Sequence, residues 1–194
     1  MSGQAHEPAR TRPDELIEHS PVTLRRYRED DLGALFGAVT ASLDHLRPWM
    51  PWAAAGYSLE SAAEFLDGSI GNWEDGTEYD YAIIAGGALA GGVGLMARIG
   101  PGGLEIGYWV HRAYTRRGLA SAAAAALVEQ AFRLPGVDRV EIVHDELNVP
   151  SGKIPRKLGF TEIERRRLDQ PSEAGTGFGV VWRLLKTQVP NEVT

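Results

Sequence analysis

The 194-residue chain contains no cysteine. This absence excludes disulfides, thiolate metal ligands and a cysteine nucleophile, so the chemistry must use oxygen or nitrogen groups or a thiol carried by another molecule. The sequence also lacks an apolar run near the roughly 20 residues of a membrane span, and its first residues lack the apolar segment of a secretory signal. We therefore expect a soluble, cytoplasmic protein that uses neither a membrane nor a metal.

A basic surface is also missing from the composition. The net charge is -6 and the isoelectric point is near 5.4. Nucleic-acid binding requires a basic face that neutralises phosphates, so a nucleic-acid partner is not expected. The mild acidity could favour a cationic substrate, although ordinary solubility is the simpler interpretation.

The chain length predicts one domain. A mass of 21.1 kDa is enough for a single hydrophobic core. Residues 1–20 are mostly polar or small and include two prolines, so we expect a flexible arm there. The domain is expected over 21–188, with a short tail over 189–194.

Hydrophobic periodicity predicts a mixed α/β chain of the α+β type. The order β-α-α-β-β-β-α-β-α-β-β indicates one central sheet of about seven strands with about four helices. Asp30 and Ser58 are expected to open the first two helices. The third helix is alanine-rich and follows Gly118, and the strand after Phe160 is expected to pair with the C-terminal segment FGVVWRLLK.

The segment GYWVHRAYTRRGLASAAAAALVEQAF predicts a strand, a basic turn and a helix. A helix N-terminus presents unpaired amides that can hold a pyrophosphate. Gly118 would allow close approach, and Arg112, Arg116 and Arg117 would add positive charge. A plain strand-to-helix connection with a solvated basic loop is the alternative. A P-loop motif is absent, and the G-x-G-x-x-A string at 92–97 is followed by a turn where a dinucleotide-binding helix should begin.

Three segments occur in an order that resembles the GNAT superfamily of N-acetyltransferases, and more closely its RimJ/RimL-like branch. They are LRPWMPWA, LEIGYWVHRAYTRRGLAS and NVPSGKIPRKLGF, and the resemblance covers about Val22 to Lys186. It implies a mixed sheet splayed between the strands LEIGYWV and VDRVEIVH. The pantetheine arm of acetyl-CoA, or of another acyl-CoA, would lie in that gap and pair with the backbone of Trp109 and Val110.

The resemblance also implies which residues hold the coenzyme. The family's Q/R-x-x-G-x-G/A loop aligns with 115–120, where Thr115 departs from the usual longer side chain. Asn148 would contact the pantetheine, and Ser151 would sit beside the thioester sulfur; alternatively, Asn148 ends a strand and Ser151 caps the next helix. The pyrophosphate and its surroundings would be held by Arg112, Thr115, Arg116, Arg117, Gly118, Leu119, Ala120 and Ser121.

Attack of an amine on a thioester requires a proton acceptor, because an alkyl amine is mostly protonated at pH 7. Glu105, on a central strand, is the first candidate for this base, and a salt bridge to Arg98 is its structural alternative. His144 is the second candidate and Glu141 the third. Some GNAT relatives stabilise the departing thiolate with a tyrosine at the position of Pro155, so Ser151 is expected to do so here.

Aromatic residues near the first two helices predict an acceptor pocket. Packing of these side chains in the core is the alternative interpretation. The predicted lining residues are Trp49, Trp52, Tyr57 and Trp73.

We therefore predict an acyl-CoA-dependent N-acyltransferase that acts by direct attack in a ternary complex. The acceptor is either a protein N-terminal α-amine or a small-molecule amine. A non-catalytic acyl-CoA sensor and an interaction domain that uses the aromatic loop are the alternatives. A homodimer is plausible because it is the commonest oligomer of soluble enzymes.

Overall fold

A computed structural model describes residues 12–189. The strands are β1 (Leu16–His19), β2 (Val22–Arg26), β3 (Glu78–Ala85), β4 (Ala88–Met96), β5 (Gly103–Val110), β6 (Arg139–Asp145), β7 (Thr161–Arg167) and β8 (Phe178–Leu185). The helices are α1 (Leu32–Thr40), α2 (Leu43–Leu46), α3 (Leu59–Asp75), α4 (Leu119–Arg133) and α5 (Val149–Lys157). Within this range the strands and helices follow the predicted order except for one additional strand, β1, and one additional short helix, α2, so the described residues have five α-helices where about four were predicted.

The described strands form one sheet in the order β1-β2-β3-β4-β5-β6-β8-β7. Neighbouring strands are antiparallel except β5 and β6, which are parallel and are connected through α4. The predicted fold class, a mixed α/β chain with one central sheet, is confirmed.

The strand count differs from about seven because Leu16–His19 forms β1, which pairs antiparallel with β2. These residues were predicted to belong to the flexible N-terminal arm, and this part of the prediction is corrected. Ile17 is buried and supplies apolar contact to the core, while β2 supplies the hydrogen-bond partners. The rest of the arm up to residue 11, and residues 190–194 of the tail, lie outside the described residues.

Two hydrophobic clusters cover the sheet. One cluster joins α4 to one face of the strands, where Leu24, Tyr81 and Ile106 are buried. The other joins α1 and the first half of α3 to the opposite face, which includes Ala82 and Trp109. We call these the α4 face and the Trp109 face. On β5 the side chains alternate, so Glu105, Gly107 and Trp109 lie on the Trp109 face.

The pairing between β5 and β6 is short. It extends over 103–105 of β5 and 139–141 of β6, whereas the other edge of β6 pairs with β8 along its whole length. Beyond Glu105 and Glu141 the two strands separate, and from Ile106 onward β5 carries backbone groups unpaired on its β6 side within the described sheet. This split is the predicted splay of the sheet.

Candidate active site

Two hydrogen-bond contacts of the Tyr108 hydroxyl join the two sides of the split on the α4 face, and one of them is a donation to the Ser151 carbonyl at 3.3 Å. The Tyr108 hydroxyl on β5 lies 3.0 Å from Oγ of Ser151 on α5. Burial is the main cause that raises the pKa of Tyr108 to about 12, although the hydrogen bond with Ser151 acts in the opposite direction. The phenol therefore keeps its proton at neutral pH and can act as a donor.

The turn before α4 has the backbone shape of an anion site. Gly118 has a φ of 78°, and Arg116, with a φ of 59°, is the one residue other than glycine with a positive φ among residues 12–189. The turn is braced from within, because the Thr115 hydroxyl donates to the Arg112 carbonyl at 3.0 Å. Thr115 thus closes the loop with its short side chain.

The first turn of α4 presents free amides. Gly118 occupies the position before the helix and has no side chain to cap it. The first intrahelical bond at this end runs from the Ala122 amide to the Gly118 carbonyl at 3.0 Å. The amides of Leu119, Ala120 and Ser121 come before this bond and have no carbonyl partner within the helix. Together with the partial positive charge of the helix end, they suit a pyrophosphate.

A surface cavity adjoins this turn. It lies between the β3–β4 hairpin and the start of α4, and the Arg117 guanidinium stacks 5.1 Å from the Tyr114 ring centroid at its margin. Arg117 supplies the positive charge in the lining of this cavity. The cavity is lined by Pro21, Ala85, Gly86, Tyr114, Arg117 and Leu119.

Asn148 caps α5. Its side-chain oxygen accepts a hydrogen bond from the Ser151 amide at 3.3 Å. Helix capping was the alternative to coenzyme contact for this pair, with Ser151 expected as the cap. The cap is instead Asn148. It leaves the Ser151 hydroxyl at the split beside Tyr108, so capping and a role in the site are compatible.

The first and third candidates for the base are ion-paired. Glu105 is only 7% exposed and pairs with Arg98, which is the alternative that the sequence analysis kept open. Glu141, its neighbour on β6, accepts a hydrogen bond from Arg183 at 2.8 Å. Both carboxylates are therefore engaged by a guanidinium in this arrangement.

Both ring nitrogens of His144, the second candidate, are occupied. Nε2 accepts a hydrogen bond from the Trp182 indole at 2.9 Å, and Nδ1 lies 2.8 Å from the Asp145 carbonyl. A carbonyl can only accept, so Nδ1 carries the proton and Nε2 uses its lone pair on Trp182. The ring has no lone pair left for a substrate proton, and this geometry does not favour His144 as the base.

Three aromatic rings cluster on the Trp109 face. The Trp52 ring lies 5.8 Å from that of Tyr57 and 6.4 Å from that of Trp109. Trp49 is partly exposed nearby in the chain. Trp73 is different: it is 1% exposed and packs against Tyr79 and Tyr81 in the core. The prediction that Trp73 lines the acceptor pocket is therefore corrected, since its ring is enclosed by the core.

Tyr108 and Asp80 are not among the predicted site residues. Asp80 lies on β3 on the Trp109 face, opposite Gly94 of β4. Burial is the largest cause that raises the pKa of its carboxyl to about 7, and nearby Glu78 adds to the effect. A signal was present in the strand YDYAIIA, where one acidic residue interrupts an otherwise apolar run.

Comparison with known proteins identifies the family. The family model described as an acetyltransferase (GNAT) domain matches residues 22–161. The chain therefore belongs to the GNAT acetyltransferases, which are acyl-CoA-dependent N-acetyltransferases. Within residues 12–189 no three His, Asp or Glu side chains come together as a metal site would require, and no helix there is long and apolar enough to cross a membrane.

One relative of known sequence is "Putative ribosomal N-acetyltransferase YdaF" of Bacillus subtilis. It is 24% identical over 152 residues, which are 75% of this chain and 81% of that protein.

Several solved structures share the fold. A RimL ribosomal L7/L12 α-N-protein acetyltransferase in complex with coenzyme A has a TM-score of 0.82 at 21% identity, covering 90% of this chain and all of that one. Mycobacterium smegmatis RimJ in complex with a CoA disulfide has a TM-score of 0.82 at 23% identity, covering 92% and 90%. The microcin C7 self-immunity acetyltransferase MccE, with acetyl-CoA and AMP, has a TM-score of 0.79 at 16% identity, covering 86% and 93%.

Proposed function

We propose that this protein transfers an acetyl group from acetyl-CoA to a primary amine by direct attack in a ternary complex. The observation that carries the proposal is the split between β5 and β6, which opens toward the uncapped start of α4. The phosphates of the coenzyme would bind at that helix end while the pantetheine arm lies along the free edge of β5. The thioester would then face the Trp109 side of the sheet.

Structural relatives with bound coenzyme support acetyl-CoA as the donor. The RimL and RimJ structures contain coenzyme A, and MccE contains acetyl-CoA. The residues that would hold the phosphates here are the amides of Leu119, Ala120 and Ser121 with the side chains of Arg116 and Arg117. Trp109 and Val110 supply the strand edge.

Positioning supplies much of the expected rate, because the enzyme holds amine and thioester together in one complex. The departing thiolate needs a hydrogen-bond donor. Ser151 was predicted for this role, and the Tyr108 phenol at 3.0 Å supports it. The two hydroxyls would act as a relay on the α4 face, while the amine would arrive on the opposite face, where Glu105 was predicted as the proton acceptor.

Two classes of acceptor remain under this proposal. The ribosomal names of YdaF and RimL favour an α-amine at a protein N-terminus, and the ring cluster of Trp52, Tyr57 and Trp109 fits either that group or a small-molecule cationic amine. A cytoplasmic location and a homodimer stay predictions.

A thiol-release assay tests the function. Acetyl-CoA and succinyl-CoA are each combined with peptides that carry free α-amines, with polyamines and with aminoglycosides. We expect CoA release that depends on both acetyl-CoA and an amine. Tight CoA binding without transfer to any amine would instead favour the sensor, and no CoA binding would favour the interaction domain.

A further inference from the structure

Three glycines form the surface of the sheet on the Trp109 face beside the split. Gly92 and Gly94 lie on β4, and Gly107 lies opposite Gly94 on β5. We call these three residues the glycine floor. Because they lack side chains, neighbouring polar groups can lie directly on the sheet.

Three polar side chains use the space over Gly92 and Gly94, whereas the Met96 side chain covers Gly107, where an added Cβ atom would lie 2.9 Å from its methyl carbon. A Cβ atom on Gly94 would lie 2.3 Å from an Asp80 carboxylate oxygen. A Cβ atom on Gly92 would lie 2.5 Å from the Trp109 indole nitrogen and 2.7 Å from the Tyr27 hydroxyl. These functional groups therefore converge over β4, next to the residue of β5 where the split has just begun.

The Tyr27 hydroxyl points to a ligand at this place. Tyr27 is 2% exposed, and its hydroxyl has no hydrogen-bond partner among the residues that the structure describes. A buried hydroxyl without a partner costs free energy. A polar group of an acceptor bound next to the side chains that cover the glycine floor would satisfy it.

We propose that Asp80 accepts the proton of the incoming ammonium group, on the glycine floor beside the split. This inference rests on the acetyltransferase function proposed above, and it assigns the acceptor site to a cationic amine. In the register of the sheet, Gly94 on β4 is paired with Asp80 on β3 and with Gly107 on β5. Gly94 has no side chain to separate Asp80 from β5. No ion pair involves Asp80 within residues 12–189, whereas the carboxylates of Glu105 and Glu141 are each held by an arginine.

The reaction balances with one proton passed to Asp80. The ammonium group gives a proton to the carboxylate, and the neutral nitrogen attacks the thioester carbon. The C–N bond forms and the C–S bond breaks, with its electron pair staying on sulfur. A second proton leaves the nitrogen as the amide forms, and the thiolate takes up a proton to become the CoA thiol. Asp80 then returns its proton to solvent.

The charges around Asp80 suit this role. Its pKa of about 7 results first from burial and then from Glu78 on the same strand, while a hydrogen bond from Ser69 on α3 and the charge of Arg98 oppose the rise. Tyr27 and the Arg98-bound Glu105 also face this region. Near neutral pH the carboxyl is therefore present in both forms, as an efficient proton acceptor requires.

The test is the pH dependence of kcat/KM with acetyl-CoA and two probes, a short peptide with a free α-amine and spermidine. For the natural sequence we expect activity to rise to a plateau with a midpoint near pH 7. In Asp80→Asn the rise in kcat/KM with its midpoint near pH 7 should be lost. The kcat/KM of this variant should instead follow the fraction of the amine that is unprotonated. At pH 7 its loss should be about tenfold with the peptide, whose pKa is near 8, and larger with spermidine. The loss should disappear as the pH passes the pKa of the peptide amine.

Ser69→Ala provides a second variant that leaves the carboxyl in place. Removing a hydrogen bond that lowers the pKa of Asp80 should move the rise in kcat/KM to higher pH. Asp67→Asn, which changes an exposed acid on the same helix, should leave the profile unchanged. CoA affinity should be the same in all these proteins.

The outcomes separate the two proposals. If Asp80→Asn keeps the rise near pH 7 and the plateau, the inference is wrong. Loss of that rise in Glu105→Gln would then identify Glu105 as the proton acceptor. If Asp80→Asn does not fold, Ser69→Ala decides, and an unchanged midpoint overturns the inference. If the natural sequence binds CoA but acetylates neither probe nor any other amine, the proposed function fails and Asp80 has no role in it.

Discussion

Glu105 and Glu141 are direct neighbours in the register of β5 and β6, at the last paired position before the split. Both side chains lie on the Trp109 face, both are buried, and each has its own arginine, Arg98 and Arg183. Two adjacent carboxylates repel each other unless each charge is compensated. The two arginines therefore compensate both charges at the last paired position before the split.

Stability should depend on these arginines. Arg98→Met or Arg183→Met would leave a buried carboxylate without its partner, and we expect each to lower the free energy of unfolding by about 1–3 kcal/mol. Chemical denaturation measures this. Arg165→Met, which removes the pairs that the exposed Arg165 makes with Glu162 and Glu146, is the control and should cost less than about 1 kcal/mol. Equal costs in all three variants would contradict the prediction.

The hydroxyl relay on the α4 face should behave as one unit. Tyr108→Phe and Ser151→Ala each interrupt the 3.0 Å contact, and each should lower kcat about a hundredfold with little change in the KM for acetyl-CoA. The double variant should be no slower than the slower single variant, because either change breaks the same chain. Ser151→Thr keeps the hydroxyl and should retain most activity. Independent, multiplying effects would show that the two hydroxyls act separately.

Two glycines at opposite ends of α4 give a matched test of the phosphate turn. Gly118 and Gly136 have φ values of 78° and 75°, and neither has an atom within 4 Å of an added Cβ. Alanine at either position should therefore cost about 1 kcal/mol or more through backbone strain alone. Titration calorimetry should show weaker CoA binding for Gly118→Ala only, with Gly118→Asn less affected. Equal CoA affinity in both alanine variants would contradict the assignment of the site.

Removing the Tyr27 hydroxyl should separate stability from activity. Tyr27→Phe deletes a buried polar atom that has no partner among the described residues, so the melting temperature should stay the same or rise. If the hydroxyl binds the acceptor, kcat/KM for the amine should fall about twofold to tenfold, the value of one neutral hydrogen bond. A lower melting temperature with unchanged kinetics would mean that the hydroxyl has a structural partner.

The strand, turn and helix from β5 to α4 could be predicted because the period of the apolar residues changes at Gly118 and nearby residues match a family motif. Strand β1 was missed because its hydrogen bonds come from β2, which a local pattern does not reveal. Trp73 was misplaced although a signal existed. Ala62, Leu66 and Ser69 precede it at helical spacing, and all four are buried.

Asp80 illustrates what a single sequence does not reveal. Its position in β3 was visible, but its importance depends on facing Gly94 and, beyond it, Gly107. That arrangement is set by the register of three strands. Tyr108 was missed for a related reason, because its partner Ser151 lies on α5, beyond the split and 43 residues later in the chain.

The buried face of α4 has a consequence for distant substitutions. Small residues, among them Ala123, Ala124 and Ala126, are completely enclosed beneath this helix. Because these side chains are small, the axis of α4 can lie close to the strands. Their size therefore also affects the position of the first turn of α4 relative to the split. A larger side chain at any of them would move α4 away from the strands, so a substitution outside the proposed coenzyme site would still displace the first turn of this helix from the split.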